Sequence, residues 1–221
     1  MNVKELNAGK EKMRVFIDLE TEPLPLLEMY MPEFQPAGNL KDPEKIKANI
    51  EEKKQEWLSK AALHAVSGRI LAVTWAIDNG PVLFSDKSEK ELIQDLMMIL
   101  SIQINKEQPV YAWNGSGFDY LFLCQRAAVH RIPAFKVLTT SFRGRRYWNE
   151  NLIDPKAIWS MYSSDYRETS LGKVALALGV GQKTGNGANF AELLKTDRDN
   201  AIAYAKNDCV LLRGIVEAMA I

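Results

Sequence analysis

The sequence predicts a mixed α/β fold. Short β-branched runs alternate along the chain with segments whose apolar residues recur at helical period, the pattern of a sheet with helices packed on it. Asn79-Gly80 between two early apolar runs signals a hairpin and hence an antiparallel portion. Helical segments between the later runs supply crossovers for parallel strands. A doubly wound nucleotide-binding sheet would place a glycine-rich turn after the first strand, and Asp18-Leu19-Glu20-Thr21 offers none.

The first strand is read at Arg14 to Leu19. From Thr21 to Ala65 the chain changes character: Pro23, Pro25, Pro32, Pro36 and Pro43 punctuate it before a charged helix. Asp42 is the expected N-cap, Pro43 the first helical residue and Leu63 the approximate end. Ile46, Ile50, Trp57, Leu58 and Ala61 give this helix one apolar side. The expectation is one domain over 1–221, with 21–65 an insertion packed on it. Strands at Arg69–Ile77 and Val82–Ser85 flank the hairpin turn. Ser88 and Glu91 have capping-box spacing and open a helix with Leu92, Ile93, Leu96 and Leu100 on one side. Pro109–Trp113 is a further strand; Asn114-Gly115-Ser116-Gly117 turns it into a helix from about Phe118 to His130. A weaker strand at Asn151–Ile153, a helix at Leu171–Leu178 and a last helix from Asp199 complete the order.

The composition is that of a globular protein: 47% apolar and 25% charged over 221 residues. The 28 basic residues balance 28 acidic ones. That excludes a general polycationic coat, but not an acidic pocket with a basic rim. Cys124 and Cys209 cannot build a disulfide framework. No run approaches the ~18–20 apolar residues of a bilayer span. With an N-terminus too polar for a signal peptide, these features lead to the expectation of a cytosolic protein with no membrane contact.

Asp18 and Glu20 lie two apart on a strand, so both project from one face of the sheet. Neighbouring carboxylates repel and lose solvation, and a divalent cation compensates both costs. A pair of solvated acids at a strand end is the plainer alternative. Asp119 follows a Gly-rich strand-to-helix turn, where it suits either a site or a helix start. Tyr204 and Asp208, four apart, share one side of the last helix. They sit about 100° from a stripe of Ile202, Ala205, Cys209, Leu212, Val216 and Met219, at the edge of the core. Tyr204 could equally be a packing residue.

Taken in order, Asp-x-Glu on a strand, Asn-x-x-x-Phe-Asp at a strand-to-helix junction and Tyr-x-x-x-Asp on the last helix resemble the DnaQ-like 3′→5′ exonucleases. The likeness is closest to their DEDDy branch, which includes the proofreading domain of family B DNA polymerases. It spans Val15 to about Ile215, and the insertion is its least covered part. The resemblance implies a ribonuclease H-like fold: a mixed five-stranded sheet flanked by helices. It also implies that Asp18, Glu20, Asp119 and Asp208 bind two metal ions and that Tyr204 orients the attacking water. On the same basis, Leu19, Asn114 and Phe118 would contact the 3′-terminal nucleotides. His64 and His130 lie far from the third motif and are read as ordinary polar or packed residues.

Hard oxygen ligands without clustered His or Cys suit Mg²⁺ or Mn²⁺ and not zinc. The expected activity is two-metal hydrolysis of DNA from its 3′ end to nucleoside 5′-monophosphates. The enzyme would be free-standing, since the chain stops soon after Asp208, or would act in trans with a replication or repair polymerase. An RNA-trimming exonuclease and an inactive nucleic-acid-binding module are the alternatives. Phe142-Arg143-Gly144-Arg145-Arg146-Tyr147-Trp148 mixes cations with aromatics. Its Arg143, Arg145 and Arg146 are candidate phosphate contacts, with a solvated loop as the alternative. Gly179 to Gly187 is not a P-loop, because no glycine precedes Lys183-Thr184 and no strand leads in. A mobile loop at the rim of the site is expected there. Asp154 and Asp165 are read as structural.

Overall fold

The computed structural model describes residues 13–25, 27–142, 145–163, 169–185 and 187–221. Its main sheet has five strands: β1 (Val15–Pro23), β2 (Gly68–Ile77), β3 (Leu83–Ser85), β4 (Val110–Tyr111) and β7 (Leu152–Ile153), in the order β3-β2-β1-β4-β7. β2 is antiparallel to β1 and to β3, whereas β4 is parallel to β1 and to β7. The mixed five-stranded sheet agrees with the expectation from sequence.

The alternation of β1 sorts its side chains between two layers. Val15, Ile17 and Leu19 enter a core with α2 (Glu89–Asn105), α3 (Asp119–Val129) and α4 (Ala134–Leu138). Phe16 points the other way, into a core with α6 (Leu171–Ala177) and α8 (Arg198–Met219). By the same period Asp18 and Glu20 face α8. Tyr204 packs in an adjoining cluster with Phe190, at the start of α7 (Phe190–Thr196), and with Ala72 of β2.

Strand β1 runs four residues further than expected. Thr21, Glu22 and Pro23 pair with Ile70, Arg69 and Gly68 across a bulge between Glu20 and Thr21, and Glu22 accepts from Arg69 Nε at 2.8 Å. Cross-strand pairing outweighs the proline here, because Pro23 is the terminal residue of the strand. The inserted segment therefore leaves the sheet after Pro23. Helix α1 (Pro43–Lys60) starts at the expected cap, with Asp42 Oδ1 accepting from Glu44 N at 2.9 Å. It passes at Ala61 into a single 3₁₀ turn. None of its residues is buried.

The Phe142–Trp148 segment, read as a basic and aromatic stretch, contributes to strands on both sides of residues 143–144, which lie outside the described residues. β5 (Thr139–Phe142) and β6 (Arg145–Trp148) form a separate antiparallel pair, with Thr139 opposite Trp148. Trp148 packs on the main core, 5.9 Å from the Tyr120 ring. Strands this short show too few alternations to be read from period alone. The same holds for α4, for α7 and for α5 (Pro155–Trp159). The buried face of α8 is wider than the expected stripe. Ala205, Cys209, Leu212 and Val216 are buried as expected, Tyr204, Asp208, Leu211 and Ile215 are buried beside them, and Ile202 and Met219 are only partly covered.

Candidate active site

β1, the α3 N-terminus, the loop before α7 and α8 meet at one cavity of about 550 Å³. Asp18, Leu19, Glu20, Phe118, Asp119 and Tyr204 line it, together with Asp208 and Lys183. Ligand oxygens of Asp18, Glu20 and Asp208 lie within 4.8 Å of one another. An octahedral Mg²⁺ at ~2.1 Å from each ligand holds any two of them at most about 4.2 Å apart, so small side-chain rotations would bring these three onto one ion. Asp119 stands beside the trio. Its Oδ1 accepts the Leu19 backbone N–H at 3.1 Å, tying α3 to the strand that carries the acidic pair.

The turn before Asp119 is built for close approach. Asn114 takes a left-handed φ of 61°. A Cβ at Gly115 would lie 2.6 Å from the Tyr120 ring, so a side chain there would displace α3. Asp154 holds the turn from below: its Oδ1 accepts from Asn114 N at 3.0 Å and its Oδ2 from Ser116 N at 3.2 Å. It also caps α5, accepting from Lys156 N at 3.1 Å. Asp154 is structural, as its position suggested; Asp165 lies outside the described residues.

Burial decides the electrostatics. Desolvation raises the Asp18 carboxyl well above its usual range, and the charges of Glu20, Asp119 and Asp208 add to it. Glu20 rises to about 8 by burial and then by Asp208, with Lys183 opposing. Asp119 rises to about 7 by burial, against the Leu19 N–H that favours its charged form. Asp208 is raised by burial and held back by Lys183, whose Nζ donates to Oδ2 at 2.5 Å. The nearby Tyr204 hydroxyl works in the same direction more weakly, yet Oδ1 has no partner at hydrogen-bonding geometry among the described residues. An acid cluster with an orphaned, buried oxygen fits a hard divalent cation.

Lys183 is the residue that reading the sequence missed. Its ammonium lies 5.2 Å from the Tyr204 ring centroid as well as on Asp208. The Gly179–Gly187 segment reads from sequence as a loop at the rim of the site, and the signal that points to Lys183 is a lysine among glycines ahead of Tyr-x-x-x-Asp. Gly187 from the same loop leaves space at the site: a Cβ there would touch the Tyr204 hydroxyl at 3.4 Å and Glu20 Oε2 at 3.8 Å. The Tyr204 hydroxyl itself is raised by burial and by the Glu20, Asp208 and Asp18 charges. It stays a protonated donor at neutral pH.

The remaining candidates scatter. Leu19 and Phe118 line the cavity. Asn114 does not; its Oδ1 accepts from Lys156 Nζ at 3.1 Å. Arg143 lies outside the described residues, as do the side chains of Arg145 and Arg146. His130 is packed against Glu89, with Nε2 2.8 Å from its Oε2. His64 ends the 3₁₀ turn.

These raised carboxyls give a pH prediction. Each has a higher pKa in the fold than in the unfolded chain, so the ion-free fold gains stability from them at low pH. That gain is complete below the ordinary range near 4 and is lost as the pH climbs through about 7 for Asp119 and about 8 for Glu20. In EDTA the melting temperature should therefore fall over this interval. Mg²⁺ or Mn²⁺ should restore it by an increment that grows with pH, since binding expels the protons. Calorimetry across pH with and without ions tests this. An increment independent of pH would sink it.

No protein-family model and no curated protein sequence matches the chain. Among solved structures, the family B DNA polymerase of the hyperthermophilic archaeon Pyrobaculum calidifontis is similar to 95% of the chain, with a TM-score of 0.61 and 11% identity. The chain spans 24% of that polymerase's length. At this identity the likeness speaks for the fold. The ribonuclease H-like arrangement of the sheet and its helices agrees with it. No helix among the described residues is long and apolar enough to cross a membrane.

Proposed function

We propose that this chain is a metal-dependent 3′→5′ exonuclease that hydrolyses DNA from its 3′ end to nucleoside 5′-monophosphates. The observation that carries the proposal is the convergence of Asp18, Glu20 and Asp208 within 4.8 Å on the floor of a cavity that also holds Asp119 and Tyr204. Asp18, Glu20, Asp119 and Asp208 would hold the ions. When bound there, Mg²⁺ or Mn²⁺ supplies Lewis acidity to the phosphate, the attacking water and the leaving 3′-oxygen. The protein's own groups do the rest. Tyr204, held protonated, donates a hydrogen bond that orients the water. Leu19 and Phe118 present apolar surface to the terminal nucleotide, and Asn114 helps to hold it through the turn it anchors. Lys183 offsets the charge of Asp208 and leaves a cation in reach of an entering phosphate. Residues 1–221 act as one domain, and a replication or repair polymerase acting in trans is a candidate partner.

The test is digestion of end-labelled single-stranded DNA, duplex DNA and RNA with Mg²⁺, Mn²⁺ or EDTA. Mononucleotides should leave the 3′ end first, and a phosphorothioate at the last linkage should slow their release. Release from the 5′ end, or cutting of a circular single strand, would overturn the proposal. Faster loss of RNA than of DNA would move the substrate to RNA while leaving the chemistry intact.

A further inference from the structure

Residues 182–185 lie along the side of α8 that carries the acidic site. They meet it at Tyr204, Asn207 and Asp208, three positions that share one helix side by their spacing of three and four. The Gln182 carbonyl accepts from Asn207 Nδ2 at 3.0 Å. Lys183 pairs with Asp208. Gly185 lies against the Tyr204 ring, where a Cβ would stand 2.8 Å from Cδ2 and 3.1 Å from Cε2. Backbone can come this close to a ring only where there is no side chain, so any residue but glycine must move the ring or move away from it.

The ring is fixed on its other contacts. It packs in the cluster with Ala72, Phe190, Ala201 and Ala205. The segment is fixed differently. A cavity of about 550 Å³, lined by Thr184, Gly185, Asn189, Tyr204 and Asn207 among others, borders it, so it has open space beside it where a core would otherwise press it down. Its ties to Asn207 and Asp208 keep it on the ring. The Lys183 tie uses a carboxylate that the proposed ions also need, whereas the Asn207 tie uses none.

We infer that Asn207 and Gly185 are positioning residues for Tyr204: Asn207 holds the segment on α8, and the bare Gly185 backbone sets the ring edge and with it the direction of the hydroxyl. The inference rests on the nuclease reading above and adds what aims its water-orienting group. A donor that must meet one water tolerates little displacement, since a misplacement of 1 Å can cost on the order of 10²-fold. Gly185→Ala shifts ring or segment by less than that, so the expected loss in rate is about tenfold. Asn207→Ala frees the segment without forcing it away, and its loss should be smaller.

The test is a double-mutant cycle read under single-turnover conditions in Mg²⁺. Neither position is buried, so both variants should fold. Each should slow the parent while DNA affinity and melting temperature change little. In a Tyr204→Phe background, neither should slow it further. A loss that persists in full in that background, or no loss in the parent, overturns the inference. A second readout needs neither ions nor turnover. In protein labelled with 3-fluorotyrosine, the fluorine signal that Tyr204→Phe removes belongs to Tyr204, and both variants should shift it in EDTA. An unmoved signal also overturns the inference. Failure of the nuclease reading looks different: the unmutated protein would leave labelled DNA intact in Mg²⁺ and Mn²⁺ while the fluorine signal still moves.

Discussion

Asp18→Ala is expected to abolish turnover while the fold survives. Asp18 lies on β1 at the centre of the sheet, facing α8, and its oxygen is one of three that converge within 4.8 Å. Removing it leaves Glu20, Asp119 and Asp208 to hold the ions. In a water-poor site, loss of one preorganised electrostatic group costs on the order of 10²–10³ in rate. A group that holds the ion itself should cost at least that much. Stability should move the other way. The Asp18 carboxyl is raised by burial and by Glu20, Asp119 and Asp208, so its charged form opposes folding above the ordinary carboxylate range. In EDTA at pH 8 the alanine variant should therefore melt at or above the temperature of the unmutated protein. Mn²⁺ should raise its melting temperature less than that of the parent. An active variant would dismiss the site. A variant unfolded in EDTA would show that Asp18 holds the sheet together instead.

Tyr204→Phe should lower the single-turnover rate roughly 10²-fold, towards the lower end for positioned proton-handling groups. Its ring lies 6.1 Å from the Phe190 ring and the residue is buried, so the phenylalanine keeps the packing. Only the hydroxyl is lost. Because that hydroxyl is kept protonated by burial and by the carboxylates, it serves as a donor and not as a base. The rate of the variant should then keep the parent's pH profile, displaced downward. DNA affinity and the ion-induced rise in melting temperature should change little. Single-turnover conditions separate this from product release. An unchanged rate would return Tyr204 to a packing role.

Much of the site follows from short-range rules that a sequence displays. A period of two puts Asp18 and Glu20 on one face of β1. A spacing of four puts Tyr204 and Asp208 on one side of α8. A glycine turn delivers Asp119 to the head of α3. Each is a statement about neighbours along the backbone, so each holds wherever the element forms. The capping box at Ser88 and Glu91 belongs to the same class, with Ser88 N donating to Glu91 Oε2 at 3.2 Å.

Only the tertiary structure decided which faces are buried and what meets across the gaps. Burial on α8 extends past the expected stripe to Tyr204, where Phe190 of α7 packs, a partner that periodicity along α8 alone does not contain. Lys183 reaches Asp208 across twenty-five residues, and Arg126 reaches Glu89 across thirty-seven. Such pairs depend on how whole elements dock. The insertion is the plainest case: its apolar residues read as an ordinary core-facing side. Packing left that side half covered and turned Leu58, with Leu63 beyond it, towards the acids, because hydrogen bonds from Ser67 to the Ala61 carbonyl and from Arg126 to the Ala65 carbonyl fix where the helix can lie.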